Sequence, residues 1–212
     1  MKFGIAISSF KSDNSTISLI EKICSEKWNV EKVIVVECLG SGNIKSFIND
    51  KDISNFVDYY NYNTNIGSAK NLQIRMEKAY ELGLDSVLTL NHDAIVTEKI
   101  YDVLIKNAKE KKGAAFYSLK YFSNKRIFDL TGTKEPGILQ SFGPKRQPLT
   151  NTIPCIWSSS NVALYSTEPL SKNINPNGSL WMGWEDYLYG LQLHKNGYSQ
   201  YIVSETYTHD NY

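Results

Sequence analysis

Val33-Ile34-Val35-Val36, four β-branched residues in a row with Glu37 behind them, decides the architecture. A strand with one wet face alternates apolar and polar residues. An unbroken apolar run fits a strand buried on both faces, as in a parallel sheet covered by helices. Working outward, Phe3-Gly4-Ile5-Ala6-Ile7 upstream has the same strand character. Downstream, residues 56–62 read as a third strand and Ser86-Val87-Leu88-Thr89-Leu90 as a fourth. Between them the period changes. Ile17, Ile20, Ile23 and Cys24 recur at helical spacing, with Asn14 or Ser15 placed to cap. Ala69, Leu72, Met76, Ala79 and Tyr80 form a second helical face closed by Gly83, and Thr97 opens a third helix carrying Ile100, Val103, Leu104 and Ala108. This alternation predicts an α/β fold, a single domain whose mostly parallel central sheet carries helices on both faces. In such sheets ligands bind beyond the carboxyl ends of the strands, so the loops after Ile7, Val36, Tyr62 and Leu90 should share one rim. The second half is less regular. Residues 121–156 look loop-rich, a helix is expected from Trp184 to His194, and Tyr201-Ile202-Val203 reads as a short last strand.

Composition narrows the function. The 212 residues carry a formal net charge of +1, which gives no electrostatic footprint for nucleic acid. Three cysteines at wide spacing make neither a disulfide framework nor a zinc pattern, and suggest a reducing compartment. No signal-peptide pattern opens the chain and no apolar run approaches the ~20 residues needed to cross a bilayer, so a cytoplasmic location is expected, with peripheral membrane contact left open. Aromatic residues make up 12% of the chain, a stock of side chains that stack on sugars or bases as readily as they fill cores.

Four clusters carry possible chemistry. Asn91-His92-Asp93 follows the fourth strand, where a carboxylate can hold Mg²⁺ or Mn²⁺ against a diphosphate; taken alone, the tripeptide is more often a turn. Asn65-Ile66-Gly67-Ser68-Ala69-Lys70-Asn71 opens a helix with small residues, and Lys70 and the helix N-terminus suit a phosphate, or the segment is simply a thin cap packed on the sheet. Trp181-Met182-Gly183-Trp184-Glu185-Asp186 sets two carboxylates at a helix start between indoles. The helix dipole favours acids there in any case, but a carboxylate beside an aromatic sugar platform is a candidate general base. His209 follows the last strand and matters only where the fold brings it to Asp93; His92 and His194 read as structural or exposed.

In order and spacing these pieces resemble the GT-A glycosyltransferases of family 2, a Rossmann-like fold, over nearly the whole chain. Glu37 stands where that family has an acid that contacts the nucleoside. Asn65-x-Gly67 resembles its Asn-x-Gly helix start, and Asn91-His92-Asp93 stands in the place of its Asp-x-Asp metal motif. Gly183-Trp184-Glu185-Asp186 resembles the Trp-rich Glu-Asp motif of β-1,4-galactosyltransferases, while the Asn-x-Asp form is similar to rhamnosyltransferase-like members.

The resemblance implies one GT-A domain over residues 1–212, with a nucleotide-binding half (1–96) and an acceptor-binding half (97–212). It implies Asp186 as catalytic base with Glu185 beside it. Ser8, Ser9, Glu37, Asn65, Gly67, Lys70, Asn91 and Asp93 would meet the donor, Trp181 and Trp184 the acceptor sugar. Asp93 and His209 would hold the Mn²⁺ or Mg²⁺. The implied reaction is inverting transfer of a hexose or deoxyhexose from a UDP- or dTDP-sugar to a glycan or lipid-linked glycan, in bacterial surface polysaccharide synthesis. Asn91 and Glu37 depart from the commoner Asp at each position, and the chain stops three residues after His209, where family members often continue with helices. A nucleotidyltransferase is the alternative enzyme, although no Gly-rich basic phosphate loop follows the first strand. A non-catalytic nucleotide-sugar-binding module is the alternative without turnover, and Asn91 is its best support.

Overall fold

The computed structural model describes residues 1–26, 28–122, 127–128 and 151–210. Four parallel strands, β1 (Phe3–Phe10), β2 (Lys32–Cys38), β3 (Val57–Tyr62) and β4 (Ser86–Asn91), alternate with α1 (Asp13–Ser25), α2 (Asn43–Asp50) and α3 (Gly67–Glu81). After them come α4 (Glu98–Glu110), β5 (Ala115–Phe122), β6 (Ile127–Phe128), β7 (Thr152–Cys155), β8 (Ala163–Ser166), a 3₁₀ turn (Glu168–Lys172), α5 (Glu185–Lys195) and β9 (Gln200–Asp210). All strands join one sheet in the order β3-β2-β1-β4-β8-β5-β9-β7, with β6 on β5. The long pairings β1–β2, β1–β4, β2–β3 and β5–β9 are parallel, whereas β8 runs antiparallel between β4 and β5 over three or four residues on each side. The expected α/β architecture is therefore present, and its antiparallel members lie in the second half.

Alternation along the buried strands divides the core between two faces. Ile5, Ile7, Val33, Val35, Leu88 and Leu90 pack with α1, α2 and α4. Ala6, Ile34, Val36 and Val87 pack with α3 and α5. Each fully buried Leu or Ile in these layers contributes about 1.5–3 kcal/mol. This is why the unbroken apolar run in β2 is required: a polar residue at any of its positions would lie beneath a helix.

Local details differ from expectation. The N-cap position of α1 falls at Ser12, not at Asn14 or Ser15; Lys11 leaves β1 at φ 49°, so the helix starts at once and those two residues fall inside its first turn. The Ser12 hydroxyl donates back to the Phe10 carbonyl at 2.9 Å and makes no helix cap. Thr97 does cap α4, accepting from the Ile100 N–H at 3.4 Å. The last strand is much longer than its three-residue apolar core. Most of the span expected to be loop-rich, residues 129–150, lies outside the described residues.

Candidate functional site

Register brings the expected rim together. Ser8 pairs with both Val36 and Asn91, Ser9 with Glu37, and Glu37 with Asn61, so the ends of β1 to β4 stand level. Ser9 is fully buried and its Oγ accepts from Thr16 Oγ1 at 2.8 Å, which ties α1 to β1 and leaves Ser8 as the partly open serine.

At the β2 end the Glu37 side chain is buried. Tyr59 Oη donates to its carboxylate and the other oxygen, Oε1, has no partner. Burial pushes the carboxyl up to about 7; the Tyr59 hydrogen bond opposes the rise and nearby Asp13 adds to it. A Cβ at residue 40 would overlap the Glu37 carboxyl, so only glycine lets the loop close over it. Asp13, in the first turn of α1, accepts from the Ser41 hydroxyl and is held below the usual carboxylate range chiefly by that bond. A pocket of about 490 Å³ opens beside them, lined by Lys11, Ser12, Asp13, Ser41 and Asn43 among others. Asp13 and Tyr59 were not legible as site residues; the only signal was the polar cluster after the first strand.

The start of α3 does a structural task. Asn65 Oδ1 accepts from the Gly67 N–H at 3.0 Å, and Gly67, at φ 79°, has a Cβ direction that points straight at the Trp181 carbonyl. Lys70 Nζ donates to Gln73 at 3.0 Å, with Gly178 packed directly on both side chains. The segment carrying Trp181 therefore rests on the first turns of α3. Deeper in that helix, Asn71 Nδ2 donates to the Val36 carbonyl at 3.1 Å and Arg75 Nη1 donates to the carbonyls of Ala6 and Leu90 at 3.1 and 3.2 Å. These bonds pin α3 across β2, β1 and β4.

Asp186 and Glu185 open α5 behind two left-handed residues, Gly183 (φ 84°) and Trp184 (φ 67°). That turn directs the carboxylates inward and leaves the indoles out: Trp181 and Trp184 are 56% and 61% exposed, while Asp186 Oδ1 and Glu185 Oε2 are buried without hydrogen-bond partners. Burial pushes the Asp186 carboxyl up to about 6, opposed by hydrogen bonds from Ser160; Glu185 adds to the rise and Arg75 eases it. Ser160 is fixed in turn by Thr89 on β4, whose hydroxyl donates to the Ser160 carbonyl. The Asn91 N–H donates to the neighbouring Asn161 at 3.0 Å. Asp186 thus sits against the same strand end that carries Asn91 and Asp93. Trp184 and Trp157 each meet Tyr187 edge-on, at 5.9 and 5.5 Å between ring centres, and a pocket of about 430 Å³ is bounded by Trp181, Met182, Trp184, Tyr187 and Leu188.

Asp93 is exposed in the turn after β4. His209 lies in β9 opposite Tyr121, and its side chain is outside the described residues. Following the pairings Thr89–Ala163, Ala163–Tyr117 and Tyr117–Ile202 across the sheet places Asp93 and His209 near the same rim but three strand positions apart, roughly 14 Å of backbone separation. Among the described residues no three His, Cys, Asp or Glu side chains form a cluster for a metal. An exposed carboxylate with a neutral Asn beside it still suits a hydrated Mg²⁺ or Mn²⁺ that draws its other ligands from a diphosphate.

No protein-family model matches the chain, and no curated protein does. Solved structures do. S. aureus TarS 1–349 superposes with a TM-score of 0.71 at 17% identity, covering 100% of this chain and 60% of that one. The same TarS fragment in complex with UDP-GlcNAc gives 0.70 at 17%, over 100% and 59%. GalNAc-T7 with UDP, GalNAc and Mn²⁺ gives 0.72 at 11%, over 99% and 44%. The chain thus spans about two fifths to three fifths of the length of these neighbours. No described helix is long and apolar enough to cross a membrane. At these identities the likeness fixes architecture, and the chain has the GT-A fold of these glycosyltransferase structures.

Proposed function

We propose that the protein is a metal-dependent inverting glycosyltransferase that moves a hexose or deoxyhexose from a UDP- or dTDP-sugar to a carbohydrate acceptor, in bacterial surface polysaccharide synthesis. One observation carries the reading: a half-buried carboxylate, Asp186, lies between a rim suited to a nucleotide and an exposed indole platform suited to a sugar. The bound UDP and UDP-GlcNAc of the structural neighbours support the donor class. The fold does not set the stereochemistry; the placing of a single base does.

Residues 1–96 form the donor half. Glu37 and Ser8 meet the nucleoside, with Ser9 supporting the strand end. Asn65, Gly67 and Lys70 seat the segment that carries Trp181 and so hold the acceptor platform against the donor rim, and Asn91 meets the ribose. Asp93 would hold the Mn²⁺ or Mg²⁺, which when bound would offset charge on the diphosphate; His209, three strands away, is too distant to share the ion with it. Residues 97–212 form the acceptor half, where Trp181 and Trp184 take the apolar face of the acceptor sugar and Glu185 bonds its hydroxyls. Asp186 accepts the proton of the attacking acceptor hydroxyl. The acceptor oxygen bonds to the anomeric carbon as the bond from that carbon to the diphosphate oxygen breaks on the opposite face. The nucleoside diphosphate leaves and the configuration inverts. A glycan or lipid-linked glycan is the acceptor class, at the cytoplasmic face of the membrane.

Donor hydrolysis across UDP-, dTDP- and GDP-sugars with Mn²⁺, Mg²⁺ or chelator tests this directly. Slow metal-dependent release of one nucleoside diphosphate is expected. Binding without turnover in every combination would leave a nucleotide-sugar-binding module.

A further inference from the structure

The transfer reaction assigns no task to Arg75. This residue lies on α3 four residues after Asn71, on the same buried face, and is only 3% exposed. Its Nη1 bridges carbonyls of two neighbouring strands, Ala6 in the middle of β1 and Leu90 near the end of β4, while its Nε has no partner. Among the described residues it makes no direct ion pair. A buried cation held only by carbonyls is costly, and an apolar side chain of similar length would serve packing as well or better. The fold alone therefore gives no reason for a cation here. The charges acting on it do: Asp186 first, then the Tyr165 hydroxyl and Glu185.

The connection to Asp186 is also continuous in space. Arg75 bonds Leu90, the neighbouring Thr89 bonds Ser160, and Ser160 bonds Asp186. The groups facing the Asp186 carboxylate are Ser160 from the loop before β8, Glu185 from its own helix and Arg75 from α3. Tyr165 from β8 and Tyr117 from β5 complete the set; burial pushes their hydroxyls well up, and the same carboxylate adds to it.

We propose that Arg75 is the positioning residue of this site, tying α3 to β1 and β4 and supplying the buried counter-charge to the Asp186 carboxylate for proton transfer. The role rests on Asp186 being the base. Without the cation, Asp186 should hold its proton more tightly. Burial and the Ser160 hydrogen bonds weigh more on that carboxyl than Arg75 does, so the shift is read against Arg75→Lys, which keeps the charge.

The experiment uses the full chain and follows the Asp186 carboxyl carbon by NMR titration, with kcat/KM against pH, in wild type, Arg75→Lys and Arg75→Met. Arg75→Met should raise the Asp186 midpoint and the acidic limb of kcat/KM together, in the same direction and by the same amount. Arg75→Lys should stay within about 0.3 pH unit, and both should bind UDP within about twofold of wild type. A folded Arg75→Met with an unmoved midpoint overturns the proposal. Where that variant does not fold, the reciprocal measurement decides: the Arg75 Nε–H resonance and its exchange rate should change in Asp186→Asn, and identical values in the two proteins overturn it. Transfer by Asp186→Asn at the wild-type rate would refute the base assignment, whereas an unmoved midpoint refutes only the part given to Arg75.

Discussion

Replacing Asp186 by Asn should make the protein more stable and nearly inactive at once, and pH should separate the two effects. The Asp186 carboxyl titrates at about 6 in the folded chain against 3.8 when unperturbed. Between those values the folded state holds a proton that the unfolded state has released, so stability falls as pH rises through that window. The distance between the two midpoints, about two pH units, corresponds to roughly 3 kcal/mol as an upper bound. That midpoint already includes the Arg75 attraction, so the variant should gain up to roughly 3 kcal/mol above pH 7. Urea unfolding of both proteins should therefore give equal stabilities near pH 3.5, a gap opening between pH 4 and 6, and a constant gap above pH 7. Removing a general base should lower kcat by about 10²–10⁴-fold, while UDP binding by calorimetry changes little. An Asn variant less stable than wild type at pH 8 would refute the reasoning about burial. One that keeps its turnover would refute the chemistry.

Three more outcomes follow from the same geometry. Gly67→Ala forces a Cβ against the Trp181 carbonyl at a positive φ, and should lose about 1–3 kcal/mol in chemical denaturation and shift the tryptophan emission of the native state. Glu37→Gln removes a carboxyl raised to about 7, so the stability that wild type loses between pH 4.5 and 7 should be retained, while UDP binding weakens about tenfold by calorimetry. Trp184→Ala cuts an exposed side chain from a strained left-handed position; thermal unfolding should stay within about 0.5 kcal/mol of wild type, and steady-state kinetics should show a higher KM for the acceptor but not for the donor.

The parallel half of the fold was legible because its strands are buried on both faces and its helices carry regular apolar stripes. What escaped has physical reasons. Helix α2 spans eight residues behind a left-handed Gly42, with only Ile44, Phe47 and Ile48 facing the core, too short a stripe to stand out from loop composition. Strand β8 has four residues whose pairing is dictated by β4 and β5 on either side, not by its own pattern. The Glu185-Asp186 pair was legible because two indoles and two acids at a helix start are chemically unusual, and the structure adds their opposite fates: acids inward, indoles outward. Arg75 was not, because a charged residue on a helix ordinarily marks the wet face. Only the assembled sheet shows the carbonyls of Ala6 and Leu90 that receive it.

The first turns of α3 show why a motif can be found correctly and still be given an incomplete task. The small residues Gly67 and Ala69 predict the close approach of a ligand or a neighbouring strand, and something does come close to Gly67: the backbone of Trp181. A glycine required for near contact does not say what makes the contact. Seating a chain segment there has a functional consequence all the same. The residues that hold the strands (Asn71 and Arg75) and those that seat the tryptophan segment (Gly67 and Lys70, with Gln73) lie on one helix. Rotating α3 by a few degrees would therefore displace the proposed donor rim and the acceptor platform together. Activity should accordingly be more sensitive than overall stability to substitutions along this one helix.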